Sequence, residues 1–268
     1  MTDTEKSRRI IQRFCELDAY LTNLVDKDPK AAIEEARNLR PDNILGTYNT
    51  DALRAGILID AGAACNDKSA VDDGVAIFRR LVEQHPERVD LKYNLANGLS
   101  AQASCITYSG PEWYLETEDL RREARRLFHQ VATESSSPDL ATRALTNLGN
   151  ELLRAHRYVE AYDYYTRALE YDPKNGVALT GAARVLLHLV ATGIGDGEIL
   201  PRVAARHLKT ARANAERIRQ LAGAYGYRML ADLMNTDLGD TEMPDLSTAD
   251  DYQRFVAKHR LALAPTIE

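Results

Sequence analysis

Between Thr142 and Asn175 the chain reads TRALTNLGNELLRAHRYVEAYDYYTRALEYDPKN. Counted from Thr142, Leu145, Leu148, Gly149 and Leu152 fall at positions 4, 7, 8 and 11, and Ala161, Tyr165, Ala168 and Pro173 at 20, 24, 27 and 32. This spacing constrains the fold more than any other feature. The first group lies on one face of a helix and the second on one face of another. The small residues Gly149 and Ala161 let the two helices cross closely, and the larger ones fill the space beside the crossing. Ala168 leaves room for a following helix. Pro173 stops the second helix, because it lacks an N–H and its ring clashes with the preceding turn.

The spacing returns along the chain. Leu58, Gly62, Gly74, Phe78, Leu81 and Pro86 repeat positions 4, 8, 20, 24, 27 and 32. Leu95, Ala96 and Leu99 open a further copy, closed late by Ala124, Phe128 and Val131. The stretch from Ile106 to Glu118, with the only tryptophan, Trp113, reads as an insertion. Leu179, Ala182, Ala183 and Leu186 open the next copy, and Ala204, Leu208 and Ala211 close it after a Gly-rich insertion. Tyr225, Gly226 and Met229 mark a degenerate fifth.

A 34-residue repeat of this kind resembles the tetratricopeptide repeat. The resemblance implies an all-α chain, an α-solenoid of helix-turn-helix repeats wound as a right-handed superhelix. The expected organisation is an N-terminal helical cap over 1–49 and a repeat array over 50–235. Its repeats lie near 55–88, 89–141, 142–175 and 176–218, with a degenerate fifth from 219. An acidic linker and a C-terminal helix occupy 236–268. In the cap, apolar residues recur helically from Glu5 to about Asp26, a second helix starts at Asp28-Pro29, and Gly46 to Thr50 reads as a loop.

The formal net charge of −6 argues against a sequence-independent nucleic-acid binder, which needs a positive field. Cys15, Cys65 and Cys105 are far apart, odd in number and outside any Cys-x-x-Cys, so neither a disulfide framework nor a zinc site is expected. No secretory signal is visible at MTDTEKSRRIIQRF, and no apolar run approaches the ~18 residues of a membrane span. The expectation is a cytoplasmic protein with no cofactor, no metal and no membrane contact.

The resemblance also implies which side chains line an inner groove: positions 2, 5, 6, 9, 12 and 13 of each first helix. These include Tyr93, Asn94 and Asn97, then Arg143, Thr146, Asn147, Asn150 and Arg154, then Thr180, Arg184 and His188. Asparagine is a mediocre helix former, so four of them on neighbouring helices call for another reason. Each offers a donor pair and an acceptor, enough to hold an extended peptide backbone whatever its side chains. Flanking arginines can take a carboxylate in a fork. The competing reading is that the asparagines bond between helices or face water. The candidate peptide-binding residues are therefore Tyr93, Asn94, Asn97, Arg143, Asn147, Asn150, Arg154 and Arg184.

Asn97 and Asn147 also match the two asparagines of the clamp by which some chaperone-binding family members hold a C-terminal carboxylate. Tyr93 stands where that clamp has lysine, and Val177 and Gly181 where it has basic residues. Chaperone binding through that clamp is not expected.

No catalytic constellation stands out. Arg202 to His207 and Arg254 to His259 fit the Arg-x4-His spacing of HEPN-type ribonucleases, but their second residues, Val203 and Phe255, are apolar. The block Arg121, Arg122, Arg125 and Arg126 has acidic neighbours and reads as a solvated face. Phrases such as Arg54 to Asp60, Leu145 to Asn150 and His259 to Pro265 resemble, in order, the N-terminal half of bacterial proteins in which such repeats precede a HEPN-type domain. That resemblance implies a nuclease effector as partner. The reading from sequence is thus a non-enzymatic protein- or peptide-binding scaffold. Its alternative is the sensor half of an RNA-targeting defence system.

Overall fold

The computed structural model describes residues 3–106 and 112–191, together with 203, 204, 206 and 207. Among the described residues the regular structure is α-helical, without a strand. The helices are α1 (Asp3–Lys27), α2 (Pro29–Asn38), α3 (Gly46–Cys65), α4 (Lys68–Gln84), α5 (Val89–Cys105), α6 (Glu112–Glu134), α7 (Pro138–Arg154), α8 (Tyr158–Tyr171) and α9 (Gly176–Ala191). The chain divides into two compact units, Met1–Glu134 and Ser135–Glu268.

Local chemistry sets the helix ends. Asp28 caps α2 by accepting from the Ala31 N–H at 3.1 Å, and Pro29 takes the first helical position, where no N–H is needed. Asp67 caps α4 in the same way through Ala70 at 3.1 Å. Ser137 caps α7, with Pro138 behind it. The Asn175 side chain accepts from the Ala178 N–H at 2.9 Å at the start of α9. Asn66 closes α3 in the left-handed region, at φ 56°.

Within the first unit, helices pack with their near neighbours in sequence: α1 on α2 and α3, α2 on α3, α3 on α4 and α5, and α5 on α6. Leu21, Ala32, Ile33, Ala36, Leu53, Ile57, Leu58, Ala61 and Ala70 share one buried cluster. The two N-terminal helices therefore cover the first repeat pair. Gly62 and Gly74 make the α3–α4 crossing possible. A Cβ on Gly62 would lie 2.8 Å from Val71 Cγ2, and one on Gly74 would lie 2.7 Å from the Ala55 carbonyl. Within the second unit α8 packs on α7 and α9, and α7 reaches α9. An array in which each pair contacts only its neighbours is the pattern of a helical repeat.

Two boundaries differ from the sequence reading. Gly46 to Thr50 is the first turn of α3 rather than a loop. Asp42 accepts from the Ile44 and Leu45 N–H groups at 2.8 and 2.7 Å, folding the chain into the helix, and Thr50 bonds back to the Gly46 carbonyl. Likewise α6 begins at Glu112, so much of the expected insertion extends the second helix of its repeat. Thr117 is buried there, and Arg125 pairs with Glu118 across two turns. The degenerate fifth repeat, the acidic linker and the C-terminal helix fall outside the described residues.

Ion pairs tie neighbouring helices together. Arg79 of α4 grips Glu123 of α6 with two bonds of 2.8 and 2.7 Å. Asp51, nearly buried on α3, accepts from Arg54 at 2.8 Å and from Arg80 of α4 at 2.9 Å. Arg54 also donates to the Leu39 carbonyl at the end of α2. The basic block on α6 is matched by acids of its own helix, Arg122 with Asp119 and Arg125 with Glu118. All three cysteines are free, and burial raises the Cys105 thiol above its ordinary value.

Candidate functional site

The candidate groove residues fall in both units, and each set has its own surroundings. In the first unit α5 carries Tyr93, Asn94 and Asn97. Tyr93 does not line an open face. Only 6 % exposed, it stands edge-on to Phe128 with ring centroids 5.9 Å apart. An aromatic at this position fills the space between α5 and α6 better than it serves a partner. Asn94 and Asn97 are half-buried, on the open side of the helix.

In the second unit Arg143, Asn147, Asn150 and Arg154 follow one face of α7, with spacings of three and four residues. Arg143 and Arg154 are exposed, and Asn147 and Asn150 half-buried. Thr146 and Thr180 are buried. Each returns its hydroxyl to the carbonyl four residues earlier, at 2.8 and 2.7 Å, which takes both off the candidate surface.

Asn150 has a structural partner that the sequence did not disclose. The Tyr165 hydroxyl donates to Asn150 Oδ1 at 2.7 Å. Tyr165 is fully buried between α7 and α9, and the ring fits only because glycine faces it from both helices. A Cβ on Gly149 would lie 2.7 Å from Tyr165 Cε1, and one on Gly181 would lie 2.4 Å from Tyr165 Cζ. The same contact explains why Gly181 stands where the chaperone clamp has a basic residue: no side chain fits there. Burial raises the Tyr165 phenol far above its ordinary value, so it stays a donor across the physiological range.

The Arg154 and Arg184 charges oppose that rise and the Glu151 charge adds to it. Arg154 is held by Glu151, nearly buried on the same helix, at 2.5 Å. Arg184 of α9 is exposed and has no acidic partner among the described residues. It also acts on the Tyr158 phenol, whose titration burial displaces upward against the opposing pull of this charge.

Tyr158 opens α8 just after His156, which adopts φ 57° where α7 ends. Its hydroxyl meets His156 Nδ1 at 2.6 Å, and its ring lies 3.9 Å from that of His188. His188 is 8 % exposed. An aromatic wall thus flanks the cationic end of the α7–α9 face.

Among the described residues no group of three or more His, Cys, Asp or Glu side chains is placed to hold a metal. No helix among them is long and apolar enough to cross a membrane. Of the two Arg-x4-His matches, His207 is half-buried, and burial first and the Arg206 charge second hold it below its ordinary value. Arg202, Arg254 and His259 lie outside the described residues, as does 107–111 of the Trp113 segment.

The comparison with known families bears on the stretch that supplies α7 and α8. Residues 142–175 match the family model for the tetratricopeptide repeat. The match supports a tetratricopeptide-repeat protein, and the helix pairs of both units agree with an all-α repeat fold of that type. A repeat of this family suggests a scaffold for protein interaction. No curated protein matches the chain.

Proposed function

We propose that this tetratricopeptide-repeat protein is a non-enzymatic scaffold that binds a protein or peptide segment on the inner faces of its first helices. The observation that carries the reading is the α7–α9 face. Asn147, Asn150 and Arg154 lie on the side of α7 that is not buried and Arg184 on that of α9, while the exposed acid of α7, Asp139, lies in its first turn beside Arg143. Polar side chains with both donors and acceptors suit a peptide backbone, which cannot leave its own groups unpaired when it is covered. On the first unit, Asn94 and Asn97 offer the same chemistry on α5.

The test begins with a partner captured by pull-down from native lysate. That partner is titrated against Asn97→Ala, Asn147→Ala and Arg184→Ala. Stranding a covered partner group costs about 1–3 kcal/mol, roughly a five- to hundred-fold loss of affinity. Salt should weaken the arginine share and spare the asparagine share. Parental affinity in all three variants, with binding abolished by a change at Trp113, would reject the groove and move the site to the 106–118 segment.

A further inference from the structure

We draw no further inference here: the strongest candidate, the ring cluster of His156, Tyr158 and His188 where α8 begins against α9, flanks the α7–α9 face already described, and nothing in the structure shows what covers it.

Discussion

The Tyr165 hydroxyl donates to Asn150 Oδ1 at 2.7 Å from a fully buried ring. One side chain thereby joins the packing of the α7–α8–α9 helices to the chemistry of their open face. Tyr165→Phe separates the two roles. The ring still fills the slot between Gly149 and Gly181, and only the hydrogen bond is lost. Stability should fall by about 1 kcal/mol. A loss several times larger in a denaturant titration would mean that the hydroxyl holds more than Asn150.

The glycines that admit Tyr165 are themselves testable. Gly181→Ala places a Cβ at 2.4 Å from Tyr165 Cζ, and the ring has no retreat because Gly149 lies on its other face. Alanine is favoured over glycine within a helix by about 1 kcal/mol, yet overpacking here should win and destabilise by roughly 1–3 kcal/mol. Gly56→Ala on α3 is the matched control, since nothing lies within 4 Å of its Cβ. That variant should gain about 0.5–1 kcal/mol. The two melting temperatures should move in opposite directions, and a shift of the same sign would sink the packing argument.

Asp51 offers a comparison between its two arginines. Arg54 is largely sheltered, with its side chain 19 % exposed, and also serves the Leu39 carbonyl, whereas Arg80 is 53 % exposed. Asp51→Ala leaves the Arg54 charge without its carboxylate in a site whose Nε already lacks a partner, and should cost about 1–3 kcal/mol. Arg80→Ala removes an open pair and should cost under about 1 kcal/mol. Equal losses for the two variants, measured by chemical denaturation, would contradict this ranking.

How much of this was legible beforehand depends on what kind of information each residue carries. Repeat spacing exposed the helix pairs because it reports packing, and packing recurs: Gly62, Gly74 and Gly149 each meet a neighbour that a Cβ would strike. The start of α3 was hidden because the turn is made by one side chain, Asp42, bonding two backbone groups, and no periodicity records that. The start of α6 was hidden because an inserted segment that continues a helix looks like a gap in the repeat. On the site, position within the repeat placed Asn150 on the open side but could not show that its carbonyl was spoken for. The clue available was Tyr165, whose hydroxyl needs a partner wherever such a ring is buried. Tyr93 was misread because its position was weighed without its size.

Asp60 carries a prediction in pH. It sits on α3 as an exposed residue, yet the loss of water around its carboxyl first and the Asp18 charge of α1 second raise it to about 6 from an ordinary 3.8. Burial also raises Asp18. Between pH ~4 and ~6 the folded chain holds a proton on Asp60 that the unfolded chain has released, so stability falls as pH rises through that window and levels off above it. Asp60→Asn removes the ionisation. At pH 7 the variant should be the more stable, by under about 1 kcal/mol because water screens so open a site. Near pH 4 the advantage should vanish, since the parent carboxyl is then protonated in the fold. Urea titrations of both proteins at the two pH values decide it. An advantage that persists unchanged at pH 4, or one that appears only there, would mean that the raised Asp60 carboxyl is not its source.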